Sequence, residues 1–176
     1  MGNDKKKTQV YPNSGQTYNR DKDQNNGKKY TGNKNNSKSK VAEIMEGILR
    51  KGYRTESKDT LRKELVSTEA RNIAKNMKIT NSQLRAFFNE LKRLKQKYID
   101  GNEKNIDKLH IGLLILKSKL EYKKGGKKIT NEFSEFMEKN IDIVIKENTV
   151  QSYKDFLVFF ETVLGYMYGL GGVNNR

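Results

Sequence analysis

The side chains with the clearest chemistry are basic and lie along one segment, TNSQLRAFFNELKRLKQKY, which begins at Thr80. Arg85 and Lys92 are seven residues apart, so a helix would place them on one face. Arg93 and Lys97 are four residues apart and fall on a neighbouring face. Charged groups displayed at such intervals on a rigid helix suit the phosphates of a nucleic-acid backbone. The guanidinium of Arg85 can bind phosphate through two hydrogen bonds, whereas a lysine acts as a point charge.

A second basic group follows downstream. Lys117 and Lys119 project from an apolar segment, and KKGGKK comes next at 123–128, where Lys127 and Lys128 follow the two glycines. Each of these lysines, taken alone, is equally well explained as a solvated surface charge. The two groups together favour phosphate binding.

No recognisable catalytic or metal-binding set accompanies the basic groups. The absence of Cys excludes disulfides, thiolate metal sites and cysteine nucleophiles, and a single His110 excludes a multi-histidine metal site. The GGKK at 125–128 lacks the spacing and the preceding strand of a phosphate-binding loop. We therefore expect no catalytic residue, no metal and no cofactor. A small nuclease with dispersed acidic metal ligands is the enzymatic alternative.

The net charge is the strongest feature of the composition. Lys and Arg number 36 against 21 Asp and Glu, which gives +15 and points to a polyanionic partner. The competing explanation is a coding bias toward Lys, Asn and Ile. No run of about 18 apolar residues exists, and no helix sets an apolar face against a purely basic one, so we expect no membrane contact. The expected location is the cytoplasm.

Composition changes near residue 40. Residues 1–40 hold ten Lys and Arg against three Asp, and only five of the forty residues are apolar. Such a segment cannot bury enough apolar surface to offset the entropy of ordering it, so we expect a disordered basic tail. Its tyrosines either stack on bases or belong to a solvated leader.

Residues 41–176 show helical periodicity and very little strand alternation, which predicts an all-α fold, a compact bundle of five or six helices. Thr80 with Gln83 forms a capping-box pattern at the clearest helix start. Thr130 is a second cap, and Thr149 or Gln151 begins the last helix. Ser67 or Thr68 is expected to cap a helix that carries Ala70, Ile73, Ala74 and Met77.

Two helices have apolar residues beyond one stripe. In the helix at about 105–122, Ile111, Leu114 and Ile115 widen the stripe, so we expect this helix to be central and buried around much of its girth. The last helix is apolar most of the way round, which indicates burial from two sides. The second side is either the chain's own core or another copy. The candidate subunit-interface residues are Phe159, Phe160 and Tyr166.

Three segments occur in an order that resembles a known family. They are ITNSQLRAFFNELKRL at 79–94, LLILKSKLEYKKGG at 113–126, and FLVFFETVLGYMYGLGG at 156–172. The set resembles the small helical subunit of the type III-A CRISPR–Cas (Csm) interference complex. The resemblance covers about residues 41–175, and residues 1–40 match nothing in it.

The resemblance implies a non-enzymatic role in antiviral defence. Such subunits stack in several copies beside the backbone subunits and contact the crRNA–target RNA duplex through its backbone. The matching positions carry over as RNA contacts at Arg85, Lys117 and Lys119, and helix geometry or loop charge adds Lys92, Arg93, Lys127 and Lys128. The implied partners are crRNA, target RNA, other CRISPR complex subunits and further copies of the chain. The alternative from the residues alone is a generic basic helical nucleic-acid-binding protein, either architectural or ribosome-associated.

Overall fold

The computed structural model describes residues 38–102, 104–171 and 173–174. This part forms six α-helices, which are α1 (Lys40–Lys51), α2 (Ala70–Asn76), α3 (Asn81–Lys95), α4 (Ile106–Gly125), α5 (Asn131–Glu147) and α6 (Val150–Gly169). π-helical turns precede α2 at Leu65–Glu69 and extend α3 at Gln96–Asp100. The predicted all-α bundle is confirmed. The predicted tail lies outside the described residues except for positions 38–40.

A two-residue parallel pairing adds to the helices. Strand β1 (Ile79–Thr80) pairs with β2 (Val173–Asn174), so backbone close to the end of the chain lies beside the residue that caps α3. Sequence periodicity did not predict this pairing because two residues are too few to show alternation.

Helix starts follow local capping chemistry. The side chains of Thr80, Asn105, Thr130 and Thr149 each accept a hydrogen bond from the backbone N–H three residues on. The predicted caps at Ser67 and Thr68 are wrong. Their hydroxyls donate back to the carbonyls of the residues four positions earlier, because the chain enters α2 through a π-helical turn that begins at Leu65.

Helices α5 and α6 form the centre of the bundle. Helix α5 packs against α1, α4 and α6, and α2 packs against α6. Aromatic rings fill the space between α5 and α6, where the Phe136 ring lies 5.7 Å from that of Phe159 and 5.5 Å from that of Phe160. Phe88 of α3 stacks on Phe160 at 5.3 Å. These contacts make the last helix a core element of a single chain.

The predicted subunit interface at Phe159 and Phe160 is therefore wrong. Both rings are buried in the core of the chain itself and offer no surface to a neighbour. Tyr166 is partly buried against the same core. The apolar character of α6 reflects packing against α2, α3 and α5 from within one chain.

The expectation that α4 is buried around most of its circumference is also wrong. Leu109, Leu113, Leu116 and Leu120 are buried as one stripe, but Ile111, Leu114 and Ile115 on the outward side are each more than half exposed. The inward side approaches α3 so closely that a Cβ on Gly112 would lie 2.6 Å from a methyl of Leu94. Helix α4 is thus a peripheral helix with two apolar faces, of which only one is covered.

Buried polar groups tie the loop after α1 to the core. Asp155 on α6 is buried and accepts hydrogen bonds from Arg54, including one at 3.0 Å from its Nη2. The hydroxyl of Tyr53 donates to Oδ1 of Asn140 at 2.6 Å, also in the core. These bonds satisfy the polar atoms that folding removes from water.

Candidate nucleic-acid interface

The start of α3 is held in place from two directions. The Thr80 hydroxyl accepts the Gln83 N–H at 3.3 Å, and Oε1 of Gln83 accepts the Thr80 N–H at 3.2 Å, which completes the predicted capping box. The amide nitrogen of Gln83 also donates to the backbone carbonyl of Lys128. The basic loop between α4 and α5 is therefore fastened to the first turn of α3.

Arg85 lies one turn into α3, and its guanidinium is oriented by neighbours that carry no charge. Its Nε donates to the Tyr168 hydroxyl at 3.1 Å, and that hydroxyl donates in turn to Oδ1 of Asn81. Within the described part of the chain, no carboxylate forms an ion pair with Arg85. The two terminal nitrogens of this exposed side chain are thus available for a bidentate phosphate contact.

Lys92 shares the α6 side of α3 with Arg85, as the seven-residue spacing predicted. Its Nζ lies 3.5 Å from Oε1 of Glu161 and 4.4 Å from the ring centre of Phe88. Both charged side chains of this pair are more than half exposed, so the pair contributes little to stability. An arriving phosphate can therefore replace Glu161 as the partner of Lys92.

Arg93 and Lys119 meet at one carboxylate on the opposite side of α3. Glu90 accepts two hydrogen bonds from Arg93, at 3.0 and 2.9 Å, and lies 3.6 Å from the Nζ of Lys119 on α4. The hydrogen bond from Arg93 is the main cause that lowers the pKa of Glu90, and it also raises the pKa of Arg93. These two predicted contact residues are brought together, but their charge is partly neutralised by Glu90.

Lys117 does not join this group. Positions 117 and 119 are about 200° apart around a helix, so the two lysines lie on different sides of α4. The Nζ of Lys117 faces α5 and lies 2.5 Å from Oδ1 of Asp142. The structure thus separates Lys117 from the α3 side of the surface.

Lys127 and Lys128, the loop lysines of the candidate set, lack acidic partners among the described residues. Lys127 takes a left-handed backbone conformation, with φ of 52°, at the turn where the loop reverses. The Nζ of Lys128 lies 5.8 Å from the ring centre of Tyr122. Among the residues that the structure describes, no carboxylate pairs with either lysine. Together with Arg85 they are the uncompensated predicted cations.

A groove of about 310 Å³ runs between α3 and α4. Its lining combines an apolar base with basic walls and polar groups from the first turn of α3, and comprises Ser82, Gln83, Ala86, Phe87, Glu90, Leu116, Lys119 and Lys123. The Nζ of Lys123 lies 5.9 Å from the ring centre of Phe87. Lys123 is a lining residue that the candidate set omitted, although it stands in the KKGGKK segment.

A comparison with protein-family models decides the relationship. Residues 60–169 match the family model described as Csm2 Type III-A, which is more than half of the chain. The chain belongs to the Csm2 type III-A family. It is a small subunit of the type III-A CRISPR Csm complex, so other subunits of that complex are its partners. Comparisons with curated proteins and with solved structures find no match.

The described part of this Csm2-family chain carries no cluster of His, Asp and Glu suited to a metal ion. His110 lies on α4, and its Nε2 has no hydrogen-bond partner among the described residues. No helix in the described residues is long and apolar enough to cross a bilayer. The residues that this Csm2-family chain brings together are basic, and they occupy α3, α4 and the loop that joins α4 to α5.

Sequence reasoning missed Tyr168, Asn81 and Glu90. Tyr168 reaches Arg85 across 83 positions of sequence, so no local pattern signals the contact. Glu90 stands three residues before Arg93, a spacing at which opposite charges meet on a helix, and this signal was present in the sequence.

Proposed function

We propose that this small subunit is a non-catalytic, RNA-binding component of the Csm ribonucleoprotein that acts in antiviral defence. Copies of the chain stack in a filament and contact the backbone of the crRNA–target RNA duplex. The observation that carries the proposal is that Arg85, Lys127 and Lys128, at the fastened start of α3, have no carboxylate partner in the described part of the chain. Tyr166 is a candidate contact for a neighbouring subunit.

The chemistry of the duplex supports contacts to the backbone. An A-form duplex hides its base edges in a deep, narrow groove, so phosphates and 2′-hydroxyls are what a protein surface meets. Guide pairing supplies the sequence specificity, so these protein contacts need none. Arginine and lysine heads on a rigid helix provide that kind of contact.

The proposed RNA-contact residues can be ranked by the carboxylates that already pair with them in the chain. Arg85, Lys127 and Lys128 are uncompensated, Lys92 is loosely paired with exposed Glu161, and Arg93 with Lys119 share Glu90. Lys117 ranks last because it holds Asp142 on another side of α4. We therefore propose a surface formed by the α6-facing side of α3 and the α4–α5 loop, with the α3–α4 groove at its edge.

The test is a double variant, Arg85→Ala with Lys92→Ala, measured by fluorescence anisotropy on a guide–target RNA duplex at several salt concentrations. We expect weaker binding and a salt slope that is shallower by about 0.7–0.9 for each phosphate that the variant no longer neutralises. Circular dichroism should be unchanged because both side chains are exposed.

A matched control is Arg71→Ala with Lys75→Ala on α2, which removes two exposed cations outside the proposed surface. Equal decreases in affinity for the two double variants would show that net charge alone drives binding. That outcome would favour the generic basic binder. A decrease confined to the α3 variant would support a defined surface.

A further inference from the structure

Two rows of exposed residues lie next to each other where α3 meets α6. Arg85 contacts Tyr168 at one point, and Lys92 contacts Glu161 at another. These contacts are seven residues apart on each helix and run in opposite directions, so the helices are antiparallel here and the contacts lie about 10 Å apart. Each row falls within about 80° of its helix circumference. We call the two rows the α3–α6 surface, and its members, all exposed, are Arg85, Asn89, Lys92 and Gln96 on α3 with Lys154, Val158, Glu161, Gly165 and Tyr168 on α6.

Gly165 lies between the two contacts, three residues before Tyr168 and four after Glu161. A Cβ added there would meet no atom within 4 Å, and the backbone is ordinary α-helix without a positive φ. Glycine inside a helix is less favourable than alanine, so neither packing nor backbone conformation in the described chain accounts for Gly165. Glycine also serves where a ligand comes close to the backbone.

The groups around Gly165 suit a nucleic-acid strand as that ligand. Arg85 and Lys92 place a cation on each side of the gap, at an interval that fits a chain of phosphates better than a single anion. Asn89 lies between them on α3 and is exposed, with no hydrogen bond among the described residues. Its amide can bond a phosphate oxygen or a 2′-hydroxyl. Glu161 is the one carboxylate in the two rows, and it is already paired with Lys92.

The α3–α6 surface continues past Lys92 into an open cleft of about 810 Å³ between the end of α3 and the first half of α6. Lys154 lines this cleft and is exposed, and no carboxylate in the described part of the chain pairs with it. It precedes Glu161 by seven residues, so it lies about 10 Å further along α6. Lys154 is therefore a third cation in line with Arg85 and Lys92.

We propose that an RNA strand lies lengthwise along the α3–α6 surface, passes closest to the protein backbone at Gly165 and reaches Lys154 at the far end. The inference rests on the proposed function and adds to it the path of the strand and two contact residues. Three cations without carboxylate partners stand at the start of α3 and one at Lys154, so the start of α3 makes the first contacts.

Filling the gap at Gly165 tests the path. Gly165→Leu in the full chain should lower the affinity for a guide–target RNA duplex by about tenfold or more, which corresponds to the loss of one charge-assisted contact. Gly165→Ala should lower affinity less and raise Tm by about 2–4 °C, because alanine is the better helix former. The matched control is Gly47→Leu on α1, where an added Cβ also meets nothing within 4 Å. Unchanged affinity for a folded Gly165→Leu variant overturns the path.

Removing the far cation is a second test that does not depend on the glycine. Lys154→Ala should make the salt slope of RNA binding shallower by about 0.7–0.9, the share of one phosphate contact. Lys75→Ala on α2 removes an exposed helical lysine outside the α3–α6 surface and is the control. Equal effects of the two lysine variants would overturn the assignment of Lys154, since the path requires a loss at both Gly165 and Lys154.

The Arg85→Ala, Lys92→Ala double variant separates failure of the path from failure of RNA binding. If that variant loses affinity and Gly165→Leu does not, RNA binding stands and the path is overturned. If neither loses affinity, both proposals are overturned. A Gly165→Leu variant that binds RNA normally but no longer assembles with other Csm subunits would show that the gap receives protein, which also overturns the path.

Discussion

Glu90 holds two of the proposed RNA-contact cations, so its removal should improve binding. The Glu90→Gln substitution keeps the size of the side chain but releases Arg93, now bonded at 3.0 and 2.9 Å, and Lys119, now 3.6 Å away. Both cations would then be free to approach phosphates. The substitution should therefore raise RNA affinity, which is the opposite of what removal of an ordinary surface ion pair produces.

The size of the effect follows from electrostatics. A phosphate bound to Arg93 would sit on the order of 6–8 Å from the Glu90 carboxylate, where the repulsion in a water-like dielectric is about 0.6 kcal/mol, or roughly threefold in affinity. Each newly formed phosphate contact should also steepen the salt slope by about 0.7–0.9. The substitution should lower the stability of the helix by only about 0.2–0.5 kcal/mol, because Glu90 and Arg93 are a surface pair three residues apart.

The assay is anisotropy on the same RNA duplex over a series of salt concentrations, with thermal unfolding as the check on stability. The control is Glu64→Gln, which changes net charge equally at an exposed carboxylate ahead of α2. An unchanged affinity and an unchanged slope for Glu90→Gln, in a protein whose Arg85 and Lys92 variant does lose affinity, would refute the reasoning. The α3–α4 side would then lie away from the RNA.

Three further predictions concern the fold, and each is measured by chemical or alkaline unfolding. Phe160→Ala should lower the free energy of unfolding by about 3–5 kcal/mol because it leaves a cavity among core aromatics, and a smaller decrease, below about 1 kcal/mol, would mean that the core is misplaced. Arg54→Ala should lower the free energy of unfolding by about 3–5 kcal/mol because it leaves the buried Asp155 carboxylate without its cation. Asp155→Asn should lower it by less, because that change removes the buried charge itself. Burial raises the pKa of the Tyr53 and Tyr153 hydroxyls. Their contribution to stability is therefore complete below pH about 10 and declines as the pH rises above it. Tyrosinate absorbance from these two residues should appear only together with unfolding.

Helix starts were predictable because their chemistry is local. Thr80 and Thr130 were predicted as caps from a hydroxyl followed by helical periodicity, and Thr149 was one of two candidates for the start of the last helix; the structure uses all three as caps. Ser67 failed by the same rule, since a hydroxyl can equally bond the carbonyl four residues back when the chain is already helical. Sequence alone does not distinguish these two uses.

The two errors about burial share a cause. An apolar residue at helical spacing shows that a face avoids water, but it does not say what covers that face. Phe160 was assigned to a neighbouring chain and is covered by the chain's own α3 and α5, whereas Ile111 was assigned to the core and is exposed. Only the packing of distant helices separates the two cases.

The site was predicted in its residue types and only partly in its arrangement. Spacing placed Arg85 with Lys92 on one side of α3, and the structure keeps them there beside α6. The spacing of Lys117 and Lys119 already places them on different sides of α4, which the prediction overlooked. Spacing did not reveal that Lys117 contacts Asp142 or that Tyr168 orients Arg85. Such contacts join residues 25 to 83 positions apart, and no periodic pattern carries them.

The distribution of carboxylates separates a defined RNA surface from a generally basic one. Most of the cations proposed to flank the RNA on α3 and α4 have an acidic neighbour: Lys92 has Glu161, and Arg93 with Lys119 share Glu90. A protein that bound nucleic acid by net charge alone would gain from leaving all of them free. Here the uncompensated charge is concentrated at Arg85 and the α4–α5 loop, where Gln83 fastens the loop to α3. The first phosphate contacts should therefore form at that end, and the paired cations should engage only as RNA displaces their carboxylates.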